Sequence, residues 1–312
     1  MREDRIHLLK GISVGALVGT VVGLGGFFLS NYPKIQGMGS VMFLVTPILA
    51  GFAIALVTRK PNTMRAAMFL AVLASLLFLV AAGFEGTLCA VLAFPFLAAG
   101  LAIGALLGGV FRKSVVERFR NRGATIALFL GITPAIILAG HQAEYRSLNR
   151  PREEVVTNSV LISATPDHVW GHIQSIDSID APKPWLMYIG LPVPLRCTLQ
   201  KTGVGAKRIC YFNNGSIEEI ITEWSPPSRM RLSIDRTNMP GRHWLGFEDA
   251  VYELKPEGTS TRLTRTTTII SHLQPVWYWR YFECLGVSSE HEYILNDLKR
   301  RLSNDGARIR RP

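Results

Sequence analysis

The chain is 312 residues long, with 34 Lys+Arg against 23 Asp+Glu and a formal net charge of +11. An isoelectric point near 9.8 invites a nucleic-acid partner, but a mean hydropathy of +0.22 with 18% charged residues excludes a soluble chain that merely carries a basic face. The charge is unevenly split: residues 1–140 hold 12 basic and 4 acidic residues, residues 141–312 hold 22 and 19, and all six tryptophans lie in the second part.

Five stretches without a charged residue come first: 11–30, 41–58, 66–84, 86–111 and 123–140. About 20 residues of helix cross a hydrocarbon core ~30 Å thick, so residues 1–140 read as an all-α transmembrane anchor of five helices. Gly131 and Pro134 interrupt the fifth stretch, which leaves a re-entrant piece as its alternative. The successive flanking segments carry 3, 1, 3, 0 and 5 basic residues, from Arg2, Arg5 and Lys10 through Lys34 to Arg112, Lys113, Arg118, Arg120 and Arg122. By the positive-inside rule the N-terminus is cytoplasmic, and five crossings put the C-terminal part outside the cell (inner) membrane. Arg146, Arg150 and Arg152 count against that last step. The first stretch reads as an uncleaved signal anchor, because its apolar run is long and no small-x-small site follows before Asn31.

Gly11, Gly15, Gly19 and Gly23 recur every four residues, as do Gly100, Gly104 and Gly108. Such a face lets backbones approach closely, either in a homo-oligomer or pore or in packing against neighbouring helices. No stretch has an interior ionisable residue, which disfavours ion or proton transport.

Residues 141–152 are polar and read as a linker spanning at most ~40 Å when extended. From 153 the period changes. A strand is expected at 155–163 and a helix at 164–175, with Thr165 as N-cap and Pro166 at the first helical position. Strands follow at 194–201, 206–213, 216–225, 229–236, 244–255 and 260–272, broken by turn residues that include Asn214–Gly215 and Pro240–Gly241. An amphipathic helix over about 276–303 closes the domain, and 305–312 is a basic tail with Arg308, Arg310 and Arg311. The fold class is therefore α+β, an antiparallel sheet around a long C-terminal helix.

This order, with SATPDHVW, GVGAKR, EEIITEWSPPSRMRLSI and GTSTRLTRTTT, resembles the START-like superfamily, in particular its polyketide cyclase/dehydrase and lipid-transport group, over residues 153–304. The resemblance implies a helix-grip domain whose curved sheet leaves an apolar cavity for a lipid, sterol, polyketide or similar ligand.

His291 lies on the apolar stripe of the last helix, as a core histidine or as a ligand contact and weak acid/base. Arg208 and Glu219 form an ion pair inside the cavity, or lie on the solvated convex face with Glu223. With the turn at Asn214–Gly215, Arg208 would stand across from Ile221 and diagonal to Glu219 and Glu223. Trp185, Tyr188, Tyr211, Trp244, Trp277 and Tyr281 supply an aromatic wall or plain core, and the cluster at 277–281 also suits a bilayer interface. Cys197 and Cys210 face each other across a hairpin, as a disulfide or as two buried thiols. His168 and His172, spaced i, i+4, lack a third ligand, so no metal and no cofactor is expected. The leading expectation is a membrane-anchored protein that binds a hydrophobic small molecule or lipid, with the bilayer as partner and no nucleic acid. A cyclase-like enzyme, or a structural protein whose outer domain recognises another protein, are the alternatives.

Overall fold

A computed structural model describes residues 2–30, 37–116, 122–240 and 244–309. Lys34, Arg118, Arg120, Gly241, Arg310 and Arg311, which entered the reading above, lie outside the described residues. The chain forms two compact units, Met1–Arg150 with His272–Pro275, and Pro151–Ser271 with Val276–Pro312.

The first unit is helical: α1 (Arg2–Ser30), α2 (Thr46–Val57), α3 (Pro61–Ala81), α4 (Thr87–Phe111) and α5 (Arg122–Leu148). A π-helical turn, Val41–Val45, runs into α2. Among the described residues four helical stretches are long and apolar enough to cross a membrane: Arg5–Ser30, Pro61–Ala81, Thr87–Ser114 and Gly123–Leu148. The count is four, not the five expected. The stretch expected at 41–58 forms the shorter helix Val41–Val57. It stops there because Thr58 and Lys60 are extended, with ψ of 141° and 136°. Pro61 enforces the second of these, since its ring disfavours helical backbone in the residue before it.

The glycine faces are filled by the chain itself. A Cβ on Gly15 would meet Ala67 and Thr58 at 2.8 Å, and one on Gly19 would meet Ile54 at 2.6 Å. On α4 the fit is tighter, because a Cβ on Gly104 would stand 2.0 Å from the carbonyl oxygen of Ile48. These stripes seat α1 on α2 and α3, and α4 on α2, so they are not open to a second copy. Large side chains point the other way: Leu17, Leu106 and Leu128 are among the most exposed residues. The stretch expected as a linker is largely helix as well, since α5 continues to Leu148 and the next strand starts at Arg152.

The second unit runs β1 (Arg152–Ile162), α6 (Pro166–Gln174), α7 (Trp185–Tyr188), β2 (Pro194–Leu199), β3 (Lys207–Phe212), β4 (Gly215–Ser225), β5 (Arg229–Thr237), β6 (Leu245–Glu257), β7 (Ser260–Ser271) and α8 (Val276–Ile309). The expected tail thus begins as the last turns of α8. All neighbouring strands pair antiparallel, in the order β1-β7-β6-β5-β4-β3-β2. The sheet with its C-terminal helix fits a helix grip. Pro166 opens α6 as expected, but the Thr165 hydroxyl makes no capping bond.

The core combines the inward residues of the strands with α6 and the C-terminal half of α8. Ile162, Val169, Ile173, Ile221, Met230, Leu232 and Leu263 are fully buried and pack in one cluster with Leu295, Leu298 and Leu302. At about 25 cal/mol per Å² of apolar surface removed from water, this cluster is the main stabilising contact of the domain.

One register differs from expectation in a way that matters. Phe212 pairs with Gly215, so the β3–β4 turn is Asn213–Asn214. Arg208 therefore stands directly across from Glu219, not from Ile221. A bulge between Ile221 and Glu223 then turns Glu223 off the inward face, where Arg229 Nε donates to it at 2.9 Å.

Candidate functional site

Strand alternation sends every second residue inward. In β3 these are Arg208, Cys210 and Phe212, in β4 Ile217, Glu219 and Ile221, and in β7 Leu263, Arg265 and Thr267. All of these but Ile221 and Leu263, with Glu290 and Ile294 of α8, line a narrow cavity between sheet and helix. Together with the solvent at its mouth it amounts to about 460 Å³, and its enclosed part has room for about one water. Phe212, Ile217, Ile234, Phe247 and Ile294 supply its apolar lining.

The polar lining is a buried charge network. Arg208 is 2% exposed, and its Nη1 donates to Glu219 Oε2 at 2.8 Å. Its Nε and Nη2 reach the carbonyl oxygens of Gln174 and Ile173, at the end of α6, at 3.2 and 3.4 Å. Arg265 donates from Nη2 to Glu290 Oε1 at 3.3 Å. Both guanidiniums lie over the Tyr252 ring, 5.8 Å (Arg208) and 5.5 Å (Arg265) from its centre. Burial pulls both arginines down. Glu219 beside Arg208, and Tyr252 with Glu290 beside Arg265, more than offset it, so both stand above the ordinary arginine value. The cations stay charged, and their neighbours are arranged to keep them so.

His291 is fully buried next to this network. The Asn158 amide donates from Nδ2 to Ser288 Oγ at 2.8 Å, which leaves Oδ1 to accept from His291 Nδ1 at 3.0 Å. The Thr267 hydroxyl then donates to Nε2 at 2.8 Å, and this network assigns the tautomer. Burial first, and the Arg265 charge second, push the imidazole down to about 2. His291 is thus a neutral hydrogen-bonding strut with both nitrogens engaged.

The remaining expected residues divide. Cys197 and Cys210 form a disulfide with Cα atoms 4.1 Å apart, joining β2 to β3 at the cavity wall. Trp185, Tyr188, Trp277 and Tyr281 do not wall the cavity, being 59%, 75%, 74% and 63% exposed. Tyr211 lies on the outer face of β3 under the Arg196 guanidinium, 4.5 Å from its ring centre. Trp244 is buried but lines no part of the cavity. The rings of His168 and His172 are 5.1 Å apart, and no group of three metal-ligating side chains occurs among the described residues.

Sequence reasoning missed Arg265, Tyr252, Thr267 and Glu290. The signal for Arg265 was weak because both faces of β7 are polar: Arg262, Thr264, Thr266 and Thr268 alternate with Leu263, Arg265 and Thr267.

Residues 153–283 match the family model described as polyketide cyclase / dehydrase and lipid transport. No curated protein matches the chain. Among solved structures, a Mycobacterium smegmatis protein is 11% identical with a TM-score of 0.34, covering 50% of this chain and 98% of its own. A Nitrosomonas europaea protein is 16% identical with a TM-score of 0.36, covering 49% and 96%. A point mutant of norcoclaurine synthase from Thalictrum flavum is 10% identical with a TM-score of 0.34, covering 50% and 98%. Over residues 153–283 the chain is thus similar to the polyketide cyclase/dehydrase and lipid-transport family.

Proposed function

We propose that the C-terminal domain binds an apolar small molecule or lipid between its sheet and α8, and that the N-terminal helices anchor it in a membrane. The observation that carries the binding reading is the cavity itself, apolar on several sides, with a charge network at its centre. Binding sites of this kind pair apolar walls with a few fixed polar groups. The cavity is narrow, so a lipid-sized guest requires the sheet and α8 to part. The cyclase reading draws no support from His291, whose nitrogens are both engaged and whose proton affinity is far too low for acid/base work at neutral pH. Native mass spectrometry of the full chain, released from micelles after mild purification, tests the binding reading. A co-purified adduct of lipid-like mass is the expected result, and a bare chain under all loading conditions overturns it.

The anchoring reading is supported by the four long apolar helices and their outward-facing leucines. Trp277 and Tyr281, exposed at the start of α8, are suited to the headgroup level of a bilayer. The disulfide favours an oxidising, extracytoplasmic location for the domain. From a cytoplasmic N-terminus, four crossings would return the domain to the cytoplasm, so this orientation requires the short Val41–Val57 helix to cross as well. Protease digestion of intact cells discriminates the two: loss of the C-terminal domain supports the extracytoplasmic location, and full protection overturns it.

A further inference from the structure

The acceptors and donors of the cavity do not balance. Every nitrogen of the Arg208 guanidinium has an acceptor: Glu219 and two backbone carbonyls. Arg265 does not match it. Its side chain is 8% exposed, only Nη2 is engaged, and its contact to Glu290 is long at 3.3 Å. Among the described residues neither its Nε nor its Nη1 makes a hydrogen bond, although both atoms are buried. Thr267, the next inward residue of β7, spends its proton on His291.

We propose that Arg265 anchors the carboxylate of an amphipathic ligand, with Glu290 as the counter-charge that this carboxylate relieves. The inference rests on the binding reading above and names its ligand class. The open capacity at Arg265 is donor-only, and a carboxylate is its complement, an acceptor with no proton to place. Charge-assisted bonds of this kind are roughly twice as strong as neutral ones. Arg208 is unsuited to the role because Glu219 already neutralises it at 2.8 Å. Glu290 is the looser partner: its side chain is 16% exposed, on the helix side of the cavity. The ligand's apolar tail would lie against Phe212, Ile217, Phe247 and Ile294.

The test uses the full chain in detergent micelles, with decanoate, decanol and methyl decanoate as probes and native mass spectrometry as readout. The wild type should take up decanoate about tenfold better than decanol, the size expected for one charge-assisted contact. Arg265→Gln should lose that preference and keep decanol binding, whereas Glu290→Gln should raise decanoate occupancy by leaving the cation uncompensated. Tryptophan fluorescence checks that each variant is folded, and should Arg265→Gln fail to fold, Glu290→Gln alone decides. Equal uptake of all three probes by wild type and variants overturns the anchor and leaves the cavity reading standing. Absence of any bound probe overturns both.

Discussion

The helical unit and the sheet domain pack in opposite ways. In the helical unit small residues meet in the interior, with Gly51 and Gly104 against the backbone of neighbouring helices, while Leu17, Leu106 and Leu128 face outward. In the sheet domain large residues fill the interior, and even charges are drawn in, as with Arg208 and Glu219. The contrast is the one expected if, as proposed, the helical unit lies in a membrane and the sheet domain in water. Water drives large apolar side chains inward. Where the surroundings are themselves apolar, burial of leucine brings no gain, and close backbone contact through small residues becomes the means of association.

That contrast can be broken at named positions. The largest effect is expected for Gly104→Leu, whose Cβ alone would overlap the Ile48 carbonyl. Such a change exceeds the 4–5 kcal/mol or so that marks an exceptional mutation, and size-exclusion chromatography in detergent should show loss of the monodisperse protein. A normal elution profile would refute the backbone-contact account.

Next comes Glu219→Ala, which strands the buried Arg208 cation. Breaking a buried pair in this way costs about 3–5 kcal/mol, whereas replacing both partners with apolar residues is often neutral. The double change Arg208→Met/Glu219→Leu should therefore unfold close to the wild type. Tryptophan fluorescence follows this domain selectively, because all six tryptophans belong to it. Equal destabilisation by the single and double changes would show that the network owes its place to shape alone.

The third effect depends on pH. Because the folded His291 is held down to about 2, well below its ordinary 6.5, the unfolded chain binds the proton first as pH falls. Above pH 6.5 both states are neutral and the residue adds no pH dependence. Between 6.5 and 2 its contribution is progressively lost, about 2 kcal/mol on going from pH 7 to pH 5. Denaturant titrations at the two pH values should show that loss in the wild type and less of it in His291→Gln. The smallest effect is a gain: a Cβ on Gly109 of α4 meets nothing within 4 Å, so Gly109→Ala should stabilise the helix by about 0.5–1 kcal/mol. A loss at this position would reveal a contact that the helical packing does not contain.

The strands were largely legible because each is bounded by turn residues and alternates in period. The seven strands and α6 fall within a few residues of where the sequence puts them. What failed did so for local reasons. His141–Leu148 looks like a linker because it is polar, yet helical backbone tolerates polar side chains, and Glu144 accepts from the N–H groups of Ser40 and Val41 at the start of the α2 segment. The charge-free run 41–58 looks like a full span, since composition does not register the extended backbone that Pro61 imposes. At the cavity, period 2 cannot say which face looks inward when both carry charges. The bulge at Ile221/Glu223, invisible in composition, decides that Glu219 enters and Glu223 does not.

The sheet order has a consequence in time. The first strand made, β1, pairs only with the last, β7: Thr157 and Thr266, whose hydroxyls share a hydrogen bond, are 109 residues apart. At ribosomal speeds the nascent β1 waits about 5–20 s for its neighbour. During that wait it is a strand with both edges bare, the condition under which chains recruit wrong partners. Its composition suits the interval: Glu153, Glu154, Thr157, Asn158 and Ser159 keep it hydrated and unattractive to other strands. The polarity of β1 thus serves twice: Asn158 holds His291 in the finished domain, and the polar run as a whole is a safeguard for the unfinished one.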